Sequence, residues 1–440
     1  MRTLSVWVLS ICCLAAQQAE PGKPKEPTES EKEEIASGTP IKSELVRKTC
    51  SPCHNVDDKL RMSRISWRRT TPEGWEHTIK RMVELNGLQI EPAVARDVLR
   101  YLANNLGLAP EEARKASFEA EKTMIDYHYP AKDVDEVCSK CHSLGRVVSQ
   151  RRSKSEWELL IAMHRGYFPF SDFQAFRRMS PPQTEPGPDG RPPDNRHPME
   201  KVLPLLAEGL PLRTAEWSAW SANMGAPKLQ GRWMFRGYRP GRGTFYGETT
   251  IQAGGGEQEF VTDTKYVSAK TGETLTRRGR AILYTGFQWR GRSFEGAGKD
   301  GWREVMFLDR TQRELTGRWF TGGYNEIGME VTMTRVGGDP AVAGLDVASL
   351  AAGGTHEVSI FGANFPAGLD AAAIDFGTGT TVKRVVNASA DRVRVEVEVA
   401  KDAAAGPRDV SVAGAVRPAA LALYDKIDAI KVAPVAGMAR

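Results

Sequence analysis

Cys50-Ser51-Pro52-Cys53-His54 and Cys138-Ser139-Lys140-Cys141-His142 are two copies of Cys-x-x-Cys-His in one chain. Two thiols at this spacing reach both vinyl groups of one porphyrin as thioethers, and the histidine that follows is placed to give iron its proximal imidazole. A zinc site would need cysteines and histidines from several places to converge. A thioredoxin-type dithiol would not need the fixed histidine. Two intact copies in a 440-residue chain with six cysteines are therefore read as the anchors of two covalently bound haem c groups. Cys50, Cys53, Cys138 and Cys141 are the expected attachment residues, and His54 and His142 the expected iron ligands.

The sequence after each motif also repeats. Arg68-Arg69, Trp75 and Met82 follow the first, and Arg151-Arg152, Trp157 and His164 follow the second. Trp to Met and Trp to His are each seven residues, two helical turns, which puts each pair on one helix face. The equivalence makes Met82 and His164 the expected sixth ligands, with Met163, His128 and His197 as rivals to His164. Taken singly, a methionine at helical spacing packs a core and a histidine sits on a surface. The upstream motif is what favours ligation. Met62, Met124 and Met179 are read as core or surface residues, His77 and His356 as surface residues, and Trp75 and Trp157 as core. Arg64, Arg68, Arg69, Arg146, Arg151 and Arg152 suit haem propionates as well as they suit solvent.

Working outward, residues 1–19 have the layout of a secretory signal peptide: Arg2, an apolar run from Leu4 to Ala16, then small and polar residues. The run is shorter than the ~20 residues that span a bilayer. Cleavage near Ala15 or Ala16 would remove Cys12 and Cys13 and leave only the motif cysteines. Export together with covalent haem points to the periplasm. No later segment is apolar enough for a membrane span, and a dispersed net charge of +5 suggests neither nucleic acid nor a polybasic anchor.

Residues 20–40, rich in Pro, Glu and Lys, are expected to be a disordered linker. Two helical cytochrome c lobes are expected at 41–127 and 128–227. Val94, Val98, Tyr101, Leu102 and Leu106 share one helix face, with Gly107 placed to cap it. Pro/Gly/Asp-rich residues from Ser180 to Pro198 interrupt the second lobe, and Leu203–Leu206 and Trp217/Trp220 belong to its closing helices. Gly-punctuated alternating stretches at 228–336 predict an antiparallel β-barrel or sandwich. Residues 338–425 predict an immunoglobulin-like β-sandwich. There Val393, Val395, Val397 and Val399 alternate with charged residues, and Glu357–Pro366 resembles the opening strand and turn of such modules. Residues 426–440 begin a further segment. The expected fold class is thus multidomain, an α-helical dihaem cytochrome c domain followed by all-β barrel/sandwich and immunoglobulin-like domains. The β region shows no metal cluster, phosphate loop or nucleophile–base pair.

Residues 41–440 resemble the α subunit of quinohemoprotein amine dehydrogenase. The resemblance rests on Arg61-Met-Ser-Arg-Ile-Ser66, Thr71-Pro-Glu-Gly-Trp75, Glu136–Arg146, Glu156–Gly166, Asp194-Asn-Arg-His-Pro198 and Thr214–Trp220, with Gly231-Arg-Trp233 as an anchor in the β region. It implies a dihaem domain followed by β domains, assembled with a β-propeller subunit and a small subunit carrying a cysteine tryptophylquinone. The quinone oxidises a primary amine, and the α-subunit haems pass electrons to a periplasmic acceptor, a copper protein or a cytochrome c. The family's α subunit usually continues into another β domain, whereas this sequence ends at Arg440. The expected role is electron transfer with no catalytic residue of its own. Trp233, Trp289 and Trp319 are either an edge for a partner or barrel core. A dihaem peroxidase with one open iron and a free-standing redox docking protein are the competing readings.

Overall fold

The computed structural model describes residues 28–114, 129–171, 182–188, 190–296, 301–321 and 328–425. The expected signal peptide, His128, Met124, Met179 and residues 426–440 lie outside these.

The helical part is built twice. In the first lobe, helix α1 (Glu29–Ala36) and helix α2 (Glu44–Cys50) precede strand β1 (Arg68–Thr70), helix α3 (Pro72–Asn86) and helix α4 (Pro92–Asn105). A short helix α5 (Pro110–Arg114) leads on to α6 (Lys132–Cys138), α7 (Gly145–Val148), strand β2 (Gln150–Arg152), α8 (Lys154–Tyr167), α9 (Pro198–Gly209) and α10 (Ala215–Ala222). Local chemistry sets the starts. The Thr71 hydroxyl accepts from the Gly74 N–H ahead of α3, with Pro72 at the position where no N–H is needed. The Ser153 hydroxyl does the same for Glu156 ahead of α8. Trp75 and Trp157, each four residues past its cap, are both 1% exposed. Trp75 Nε1 donates to the Leu106 carbonyl at 3.0 Å, and Trp157 Nε1 to that of Leu210 at 3.3 Å. Those two leucines cap α4 and α9, and each carbonyl also accepts from a strand, from Thr70 and Arg152 respectively. The repeat in sequence is therefore a repeat of hydrogen bonds.

The two halves meet through β1 and β2, which pair antiparallel with Arg69 opposite Arg151. Gly107 does not cap α4, because Leu106 holds that place. A side chain at Gly107 would strike Thr285 of the β region, so its smallness serves a close domain approach.

The expected disorder over 20–40 gives way at Glu29–Ala36, which form α1. This segment has no core of its own, but the folded lobes hold it through polar contacts. Trp67 Nε1 donates to the Glu34 carbonyl at 3.0 Å and Arg61 Nη1 to the Ile35 carbonyl at 2.8 Å. The Glu34 carboxylate accepts from the Ser155 N–H and hydroxyl. Composition registers burial, and such anchoring needs none.

Strands β3 (Gly231–Arg239), β4 (Gly243–Ala253), β5 (Glu259–Ser268), β6 (Thr274–Tyr284), β7 (Gln288–Glu295), β8 (Trp302–Leu308), β9 (Glu314–Phe320) and β10 (Met329–Arg335) form an up-and-down barrel, closed where β10 pairs with β3. Alternation sets the inside: Phe260, Thr262, Thr264, Tyr266 and Ser268 of β5 are all buried. An eight-stranded barrel has an interior that side chains can fill. Trp233, Trp289 and Trp319 are 0%, 0% and 1% exposed and belong to that core, so they offer no edge to a partner.

Leu108 and Ala113 of the helical part join the barrel's apolar cluster, and Tyr284 of the barrel joins the first lobe's. Arg100–Glu259 and Glu73–Arg290 ion pairs cross the same junction. The last 86 described residues, 340–425, carry two four-stranded sheets around one shared core. The strand Arg392–Val399 buries Val393, Val395, Val397 and Val399, as its alternation predicts. Tyr246 of the barrel stacks on Phe361 with ring centroids 4.7 Å apart.

Candidate haem sites

Each Cys-x-x-Cys-His segment sits at the C-terminal end of a short helix, α2 or α6, so the turn that leaves the helix presents the histidine. Cys50 and Cys138 are partly buried, while Cys53 and Cys141 are exposed. Burial, with Cys53 nearby, pushes the Cys50 thiol up to about 11. Burial, with Asp135 nearby, pushes Cys138 up to about 12. Both are thiols at neutral pH, unlike the acidic thiolates of redox pairs. Among the described residues no group of three or more His, Cys, Asp or Glu gathers as a metal cluster.

Three histidines share one arrangement. His54 Nδ1 lies 2.8 Å from the Ser63 carbonyl, His142 Nδ1 2.9 Å from that of Ser143, and His164 Nδ1 2.8 Å from that of Leu160. A carbonyl oxygen only accepts, so Nδ1 carries the proton and Nε2 keeps a free lone pair. This is how metal-ligating histidines are held in their tautomer. Burial, opposed by the Leu160 bond and helped by the His142, Arg152 and Arg81 charges, holds His164 below its ordinary range. Its imidazole is neutral at pH 7.

The structure brings His142 and His164 together. Their ring centroids are 6.4 Å apart, tilted by 40°. Imidazole nitrogens bind metal ions at about 2.0–2.1 Å, so rings at this separation are near enough to share one ion. Met82 is placed by register. It stands eleven residues after the Thr71 cap, as His164 stands after the Ser153 cap, half-buried in the last turn of α3. Of the rivals to His164, His197 is occupied as the cap of α9, where Nδ1 accepts from the Met199 N–H and Glu200 completes a capping box. Met163 is its partly buried neighbour on α8. Met62 is fully buried core.

Five of the six candidate arginines, all but Arg146, divide into two groups. Arg69 and Arg151 are both claimed by buried Glu112: Arg69 pairs with it bidentately at 2.8 and 3.0 Å, and Arg151 Nε lies 3.1 Å away. Arg64, Arg68 and Arg152 belong to a second cluster with Arg81, which the sequence analysis missed because nothing in its own neighbourhood marks it. There Glu156 lies 3.1 Å from Arg64 and 3.5 Å from Arg152. Arg64 Nη1 has only that Glu156 ion pair, and Arg68 Nε and Arg81 Nε are buried without a hydrogen-bond partner. Buried cationic donors without partners suit carboxylates, and histidines with a free Nε2 suit a metal ion; haem carries both.

A helical module with two such segments, mounted on a β scaffold, has the layout of a haem-binding subunit. Family models agree along the chain. The haem-binding domain of the quinohemoprotein amine dehydrogenase α subunit matches residues 41–180, domain II of that subunit matches 226–336, and domain III matches 340–425. The chain belongs to this family. No curated protein sequence matches it significantly. Solved structures similar to part of it include a redesigned β-barrel (14% identity, 25% of this chain and 92% of that one, TM-score 0.22) and a de novo designed fluorescence-activating β-barrel (18%, 24%, 93% and 0.21). No helix among the described residues is long and apolar enough to cross a membrane.

Proposed function

We propose that this chain is the dihaem c-type electron-transfer subunit of a periplasmic amine dehydrogenase. Cys50 and Cys53 would hold one haem as thioethers, and Cys138 and Cys141 the other. His54 with Met82, and His142 with His164, would supply the axial ligands. Bound haem supplies a one-electron ferric/ferrous relay. The protein's part is to fix each imidazole through Nδ1, exclude water with Trp75 and Trp157, and place both sites on one rigid module. The observation that carries this reading is the His142–His164 pair, with both Nδ1 atoms turned to carbonyls and the rings 6.4 Å apart. A relay wants both irons six-coordinate, whereas a peroxidase needs one open, and the placement of His164 favours the relay.

The name of the matched family, an α subunit, supports partners: a quinone-bearing small subunit and a β-propeller subunit. A copper protein or cytochrome c would take the electrons. Export by a signal peptide at 1–19, lobes at 41–127 and 128–227, and an immunoglobulin-like character for the sandwich at 338–425 are part of the same proposal. The deciding experiment is amine-dependent haem reduction. The complex purified from its host should reduce its haems rapidly on adding a primary amine, and the isolated chain should not. Rapid reduction in the isolated chain, or none in the complex, would overturn the assignment.

A further inference from the structure

Four guanidinium groups converge where the two lobes touch. Arg64 comes from the loop after the first motif, Arg68 from β1, Arg81 from α3 and Arg152 from β2. Among the described residues a single carboxylate, Glu156 of α8, pairs with them. Four positive charges against one leave a surplus of three, and two guanidinium nitrogens in the group, Arg68 Nε and Arg81 Nε, are buried without a hydrogen-bond partner. A buried cation surplus of this kind is costly unless an anion completes it. Arg68 and Arg152 are 6% and 3% exposed, so solvent ions cannot reach them freely. Burial, then Arg152 and Arg81, hold Arg68 well below its ordinary range, and burial pushes Arg152 down to about 9 despite Glu156. Arg64 also keeps a left-handed backbone, φ 66°, a conformation that a bulky residue holds only where its surroundings demand it. Arg69 and Arg151, a few ångströms along the same ribbon, show the completed alternative, with Glu112 supplying their anion.

We propose that Arg64, Arg68, Arg81 and Arg152 form one carboxylate-binding site on the lobe boundary, that it receives haem propionates, and that it raises the reduction potential of the haem it holds. The inference rests on the haem reading above. Two propionates would bring the surplus from three to one, and guanidinium forks suit carboxylates geometrically. Arg64 follows Ser63, whose carbonyl holds His54, Arg81 precedes Met82, and Arg152 leads into the helix that carries His164, so the site borders both haem positions. The remaining positive charge favours the added electron of the ferrous state.

The test is a potentiometric titration of the haem-loaded complex carrying Arg81→Gln or Arg64→Gln. Arg81 is half-buried and the Arg64 side chain 33% exposed, so either change should leave the fold intact, as circular dichroism would verify. One haem's reduction equilibrium constant should fall about tenfold, about 59 mV for a one-electron couple. The other haem should move less, and Arg81→Lys should restore most of the loss. Unchanged potentials in both glutamine variants, with haem content intact, would overturn the site. A wild-type midpoint that follows phosphate concentration would do so too, since a solution anion would then occupy the cluster. Absence of haem from the wild-type complex would instead overturn the haem reading itself.

Discussion

His164 holds its Nδ1 against the carbonyl one turn earlier in its own helix, so its orientation is set before any metal arrives. His164→Ala should convert one of two haems to a five-coordinate, high-spin spectrum, and added imidazole should restore the low-spin form. A spectrum unchanged from wild type would return Met163 or another rival to the position. Inside the barrel, Glu304 is 2% exposed, accepts from Trp289 Nε1 at 3.0 Å, and burial raises its carboxyl above the ordinary range. A raised acid favours the folded state at low pH and costs stability as pH rises through the folded value. Glu304→Gln should therefore melt higher than wild type at pH 8, with the difference vanishing in acid; an acid-only gain would contradict this. The two motifs and the Met82–His164 equivalence were legible in sequence because they are local and repeated. Arg81 was not, since its role depends on Glu112 having claimed Arg69 and Arg151 from distant segments.

At the scale of elements, α3 and α8 each begin with a hydroxyl cap. Thr71→Ala should cost roughly 0.5–2 kcal/mol in urea unfolding, and Thr71→Ser little. Equal losses for both would mean that the side chain's packing, rather than its cap, matters. Strand alternation made the β region legible, and closure into a barrel follows from β10 meeting β3, a pairing of segments about a hundred residues apart that no local window reveals. The α1 helix was missed for the opposite reason. Its residues look solvated because they are solvated, and its order comes from backbone carbonyls that take hydrogen bonds from Trp67 and Arg61.

Across the whole molecule, the helical module and barrel share apolar clusters, and Glu73 of α3 meets Arg290 of β7 between them. Against the cost of burial, Arg290 holds the Glu73 carboxyl below its ordinary range. The stability this contributes is present above the unfolded carboxylate range and lost as pH falls through the lower folded value. Arg290→Ala should leave a buried unpaired carboxylate and cost about 3–5 kcal/mol at neutral pH, lowering the melting temperature; no change would show that the junction is wet. The β1–β2 ribbon has a different kind of consequence. Counted from the caps, Arg69 and Arg151 are equivalent residues, and they face each other at the ribbon's centre with Arg68 opposite Arg152 and Thr70 opposite Gln150. That is the pairing two copies of a one-haem chain would make about a two-fold axis. The arrangement is that of a symmetric dimer fused in tandem, and Glu112, contributed by one copy and serving both arginines, marks where the fused halves ceased to be interchangeable.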